Sequence, residues 1–127
     1  MPLAFGLYKK AGKDTLVFCL PGNPVSTVVT FLEFVRPCLD KMMSRDRSTK
    51  LLHVKATLEH PIQKNDGKRH YHRGVVENKG GKLFVHSTGN QSSGILSSLV
   101  KANCLMCLPE NQRLFQQGDE IEVELLA

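Results

Sequence analysis

Three segments of this 127-residue chain hold side chains whose types and spacing suit the binding of a small anion. The first is Pro21-Gly22-Asn23-Pro24, with Ser26 just behind it. The apolar run before this turn reads as a strand. From Val25 onward apolar residues recur at three and four, so the turn opens a helix. The first N–H groups of a helix lack intrahelical partners, and its N-terminus carries about half a positive charge. Val25, Ser26 and Thr27 would then aim their amides outward at an anion, with the Ser26 hydroxyl as a further donor. Two prolines stiffen the loop, so binding need not order it first. A plain, well-capped connection, with Asn23 as N-cap and Pro24 as first helical residue, explains the same residues.

The second segment is Arg69-His70-Tyr71-His72-Arg73-Gly74. In a strand Tyr71, Arg73 and Val75 share a face, which sets Arg73 among apolar neighbours. A guanidinium there needs a partner, and its planar fork suits an oxyanion. An exposed or salt-bridged arginine is the plainer alternative. The third is the Ser87–Gly94 loop, which includes Gly89, Asn90 and Ser93. Its hydroxyls and amides offer donors, its glycines admit close backbone approach, and a helix follows. A solvated turn with a serine cap accounts for it equally well.

No metal site is expected. Cys104 and Cys107 have C-x-x-C spacing, but residues three apart on a strand face opposite sides, and no second pair completes a zinc ribbon. His70 and His72 share a strand face without a matching third ligand.

Two folding patterns position these segments. Leu3–Tyr8 and Thr15–Leu20 read as a hairpin around a turn at Lys9–Asp14. Val25, Val28, Val29, Leu32, Val35, Leu39 and Met42 form one helical stripe, and Pro37 forces a kink or a fresh start within it. Ser44–Lys50 is polar and aperiodic, as a linker would be. Beyond it Leu52, Val54, Ala56 and Leu58 alternate with polar residues, the pattern of a half-buried strand. A turn region is expected at Gln63–Lys68. Strands follow at His70–Glu77 and Lys82–Ser87, joined through Asn78–Gly81. A short helix around Ile95–Val100, a strand at Cys104–Leu108 and a last strand through Ile121, Val123 and Leu125 complete the pattern.

The expected fold is therefore mixed, α+β. Residues 1–46 read as the C-terminal piece of an α/β domain, a β-hairpin plus helix, and residues 51–127 as a small all-β, barrel-like domain. A hairpin and one helix cannot bury a core alone, so the first part reads as the tail of a larger domain.

Composition narrows the classes. Seventeen Lys and Arg against twelve Asp and Glu give a net charge of +5, which favours anionic partners. Aromatic residues make up only 6% and no RNP-like motif occurs, so nucleic acid is not the expected partner. No apolar run reaches the length of a membrane span, and the N-terminus has no signal-peptide pattern, which by default implies the cytoplasm. The four cysteines, Cys19, Cys38, Cys104 and Cys107, lie within or beside apolar runs and read as reduced structural thiols.

Pro-Leu-Ala-Phe-Gly, Leu-Pro-Gly-Asn-Pro-Val-Ser, Tyr-His-Arg-Gly-Val, Ser-Thr-Gly-Asn-Gln-Ser-Ser and Gly-Asp-Glu-Ile-Glu-Val occur in that order. The series resembles the C-terminal end of the molybdopterin molybdotransferases, the family that includes the E domain of gephyrin. That resemblance covers essentially the whole chain. It implies insertion of molybdate into adenylated molybdopterin with release of AMP, assisted by Mg2+ whose ligands lie largely outside this sequence. By the same resemblance Pro21, Gly22, Asn23 and Pro24 shape the substrate-binding turn, Ser26 offers a hydroxyl to molybdate, and Gly89 and Asn90 belong to the binding loop. Arg73 and Ser93 are the implied catalytic pair.

The family's lysine-bearing segment ahead of Pro-Leu-Ala-Phe-Gly and its upstream acidic residues are not in this sequence. The chain alone is therefore expected to be inactive, with the full-length parent a homodimer. A competing reading, a non-catalytic interaction module, requires an apolar groove near residues 51–59 and 119–125.

Overall fold

The computed structural model describes residues 3–44, 51–91 and 96–126. They fall into two compact units, Met1–Lys50 and Leu51–Ala127. Beyond Ser44, the stretch expected to be a linker lies outside the described residues.

In the first unit β1 (Ala4–Lys10) and β2 (Lys13–Cys19) pair antiparallel in full register, from Ala4 opposite Cys19 to Lys10 opposite Lys13. The turn is shorter than the sequence suggested. Ala11 and Gly12 both adopt positive φ, 49° and 76°, the two-residue geometry whose twist matches that of the flanking strands. An isolated hairpin buries little, and Phe5, Leu7, Tyr8 and Val17 are all exposed.

The apolar stripe then forms α1 (Pro24–Thr30), a π-helical turn at Phe31–Val35, and α2 (Arg36–Met42). Pro37 is the second residue of α2. A proline deep in an α-helix clashes with the carbonyl four residues back. Widening the preceding turn and restarting the α-helix at Arg36 removes that conflict, so Pro37 marks a fresh start.

The second unit contains β3 (His53–Leu58), β4 (Ile62–Gln63), β5 (His70–Lys79), β6 (Lys82–Ser87), α3 (Leu96–Lys101), β7 (Cys104–Leu108), β8 (Leu114–Phe115) and β9 (Glu120–Leu125). Five of these strands close a barrel in the order β3-β6-β5-β7-β9, with only the β3–β6 pair parallel. The barrel-like expectation holds. Ala56, Leu58, Val85, Cys104, Met106, Leu108, Phe115, Ile121 and Val123 make its core. Full burial contributes roughly 1.5–3 kcal/mol for each large aliphatic side chain. Gly74 lies against this core, where a Cβ would stand 3.1 Å from Met106 Cγ and from the His86 carbonyl. Only glycine admits that approach without displacement.

The β5–β6 connection is tighter than expected. The strands run on to Lys79 and Lys82, leaving Gly80 and Gly81 at φ 65° and 86° as the turn. The β4–β8 bridge, two residues long, cuts into the region read as a turn from Gln63. No helix among the described residues is long and apolar enough to cross a membrane.

All four cysteines are free, but they are not alike. Cys104 is fully buried in the barrel and burial pushes its thiol up to about 12. Cys19, expected among apolar neighbours, is exposed on the hairpin because a two-stranded sheet has nothing to cover it. Thiolate is the reactive form. Iodoacetamide at neutral pH should therefore label Cys19 on the native chain and leave Cys104 untouched until denaturant is added. Peptide mass spectrometry reads this directly, and rapid native labelling of Cys104 would contradict a closed barrel.

Candidate functional site

The Pro21–Pro24 turn is built by its own side chains. Asn23 has extended backbone and its Oδ1 accepts from the amides of Val25 at 3.2 Å and Ser26 at 3.3 Å. The Thr27 amide donates to the Asn23 carbonyl, and the Thr27 hydroxyl donates to the carbonyls of Pro21 and Asn23. This corrects the expectation that the three amides aim outward. The N-cap is so well matched that Asn23 and the turn's own backbone take up the orphan donors. Ser26 contributes its amide to the cap, which leaves the hydroxyl as the group it can offer a ligand. Gly22 and Pro24 are exposed at the crest, and Pro21 is half-buried beneath them.

Arg73 is buried, at 3% exposure, and not the surface arginine of the plainer alternative. It lies on the outer face of β5, opposite Leu105 of β7, and the 88–91 loop folds over that face. Burial lowers the guanidinium pKa, but arginine remains charged in proteins. Its Nη2 donates to the Asn90 carbonyl at 3.2 Å.

The loop is held by a device that the sequence did not reveal. β6 ends at Ser87, one residue short of pairing with Arg73. The Thr88 amide continues the ladder to the Arg73 carbonyl at 3.1 Å, and Gly89, at φ 97°, then turns the chain away. The Gln91 side chain replaces the missing peptide. Its Oε1 accepts from the Arg73 amide at 2.9 Å, and its Nε2 donates to the Arg73 carbonyl at 3.0 Å and Ser87 Oγ at 2.8 Å. Arg73, Gly89 and Asn90 are thus brought together by Gln91. Ser93 lies outside the described residues.

Beyond this loop two clusters of ionisable groups stand out. On β3 and β9, His53 reaches Glu122 at 2.7 Å and Glu124 at 3.4 Å, and Lys55 reaches Glu120 at 2.9 Å. On the other face of β5 from Arg73, His70 contacts Asp66 at 2.6 Å and His72 at 3.4 Å. The bond to His70 holds the Asp66 carboxyl below the usual range. Burial chiefly holds His72 down at about 4.

The chain is similar to known proteins. Residues 55–126, more than half of it, match the model of the MoeA C-terminal region (domain IV). The chain belongs to that family. Matches extend beyond domain IV itself. A molybdopterin molybdenumtransferase of Haemophilus influenzae is 34% identical over 125 residues, covering 97% of this chain and 30% of that protein. Gephyrin of Dictyostelium discoideum is 40% identical over 119 residues, covering 88% of this chain and 17% of gephyrin. A molybdopterin biosynthesis moeA protein from Pyrococcus horikoshii OT3 superposes with a TM-score of 0.69 at 30% identity, over 82% of this chain and 26% of that one. The chain therefore spans under a third of the length of each of these relatives.

The face of β3 and β9 expected to form an apolar groove is instead a ladder of charged pairs, because His53, Lys55, Glu120, Glu122 and Glu124 fall on one side of the two strands. Of the basic residues behind the net positive charge, Arg73 is buried and Arg69 is paired with Glu110 at 3.1 Å, while Arg45, Arg47 and Lys50 lie outside the described residues.

Proposed function

We propose that this chain forms the C-terminal part of a molybdopterin molybdotransferase and supplies one side of the site where molybdate is inserted into adenylated molybdopterin. The observation that carries the reading is alignment over 97% of the chain with a protein of that name, through both the Pro21–Pro24 turn and the Arg73 loop. Each supports part of the chemistry. The turn is pre-shaped by Asn23 and presents the Ser26 hydroxyl. Arg73 is a buried guanidinium that already donates to an oxygen, the Asn90 carbonyl, and the same planar fork suits an oxyanion. Ser93 follows on the same loop.

Catalysis in this reading is positioning and electrostatic. Arg73 neutralises charge on molybdate and Ser93 orients it; water cleaves the phosphoanhydride bond so that AMP leaves, and the two dithiolene sulfurs bind molybdenum as their thiol protons and one molybdate oxide depart as water. Magnesium, implied by the resemblance, requires a set of oxygen ligands. Among the described residues no group of three His, Cys, Asp or Glu is placed to hold a metal, so these residues do not fit it and no step runs through it. The reading brings the family's setting, a cytoplasmic homodimer in its full-length form.

Titrating molybdate into the chain, with sulfate and phosphate as controls, tests the anion site. Backbone amide shifts at Arg73 and Ser93 that respond to molybdate and vanish in Arg73→Ala and Ser93→Ala are the expected result, with Ser26 followed as a separate reporter on its own unit. An equal response to sulfate, or none, would remove the anion-binding role from these residues.

A further inference from the structure

We propose that His70 and His72 form a binding site for a borderline transition-metal dication such as Zn2+, oriented by Asp66 and independent of the oxyanion site. The sequence offers the pair no third ligand, and it is the geometry that brings the two rings together. The two residues are i and i+2 on β5, on the face opposite Arg73. Their rings are 5.5 Å apart and inclined by 56°, and His70 Nδ1 lies 3.4 Å from His72 Nε2. Two nitrogens each about 2.0–2.1 Å from one tetrahedral zinc ion stand about 3.3–3.4 Å apart. Without an ion the same contact is a long ring-to-ring hydrogen bond, which a bound metal would replace at almost unchanged nitrogen separation.

The other nitrogen of His70 has a defined role. Its Nε2 lies 2.6 Å from Asp66 Oδ1. An ionised carboxylate only accepts, so in neutral His70 the proton belongs on Nε2 and the lone pair on Nδ1 faces His72. This is the carboxylate–histidine arrangement that fixes ring orientation behind a bound metal. His70 is 31% exposed at its side chain, which gives an ion a route in.

Ligand type selects the ion. Imidazole suits zinc, copper and nickel, whereas magnesium and calcium require oxygen. Among the described residues no third His, Cys, Asp or Glu joins the pair, so water completes the coordination and the site is open. Two cations work against it. Lys64 Nζ lies near His72 but is tied to the carbonyls of Lys68 and Pro109, and Arg73 is turned to the other face. They weaken the site without filling it.

The test is a titration of the whole chain with zinc chloride, with Cys19 and Cys38 replaced by serine, watching imidazole 15N shifts. Expected is one saturable event that moves His70 Nδ1 and His72 Nε2, with no such event for Mg2+. His70→Gln and His72→Gln should each weaken zinc at least tenfold, and Asp66→Asn should weaken it about tenfold. Unmoved imidazoles, or affinity unchanged in His70→Gln, would overturn the proposal. If His72→Gln fails to fold, the wild-type shifts and the more exposed His70 variant still decide. Molybdate binding by Arg73 should be indifferent to zinc, so failure of either site leaves the other standing.

Discussion

Gln91→Ala is expected to release the 88–91 loop from the barrel and to cost the second unit about 1–3 kcal/mol. The effect should exceed that of ordinary loop substitutions because Gln91 serves as a stretch of β-strand. Its amide exchanges two hydrogen bonds with the backbone of Arg73, at 2.9 and 3.0 Å, at the point where β6 has stopped. Without it the Arg73 N–H and carbonyl both lose the Gln91 amide, while the Thr88 bonds to the carbonyl remain. Leaving a buried donor unmade costs more than a made bond contributes. Two measurements check this. Urea denaturation gives the stability loss, and amide hydrogen exchange at Arg73 should accelerate well beyond that at Val76, which bonds the Asn103 side chain instead. Unchanged protection at Arg73 would mean the loop is held by other contacts.

The case of Gln91 shows where reading the sequence stops. The barrel strands were legible because alternation is a local property. Val54, Ala56 and Leu58 point inward simply because every second residue does. Pro37 was legible because its missing N–H and its ring act within a few residues. Gln91 substitutes for a peptide only if β6 ends at Ser87 and Gly89 turns the chain, and no local pattern states where a strand ends. The same limit hid β4 and β8, whose two-residue pairing has no period. The asparagine cap was recognised, yet its consequence was misread. A cap that satisfies the Val25 and Ser26 amides so fully also removes them as anion donors. Arg73 was placed on the correct face, but its depth comes from the loop folding over it, which only tertiary structure supplies.

Acidification should destabilise the second unit through His72. In the folded chain its pKa is held at about 4, first by burial and then by the charges of His70, Arg73 and Lys64. In the unfolded chain the same imidazole titrates near 6.5. Between those values the unfolded state binds more protons than the folded one, so stability falls as pH falls and is unaffected above about 7. Taken whole, the shift corresponds to about 3 kcal/mol. Solvent reaching the half-buried ring reduces the realised effect, and a loss of about 1 kcal/mol between pH 7 and 5 is expected. Asp66, also lowered, keeps its charge throughout that range and begins to lose its stabilising bond to His70 only below its ordinary value of 3.8. The two groups therefore act in separate windows. Urea denaturation at pH 7, 6 and 5 with a chelator present measures the effect, and His72→Gln should flatten it. If the variant retains the full pH dependence, the buried imidazole is not its source and the neighbouring His70 becomes the group to test.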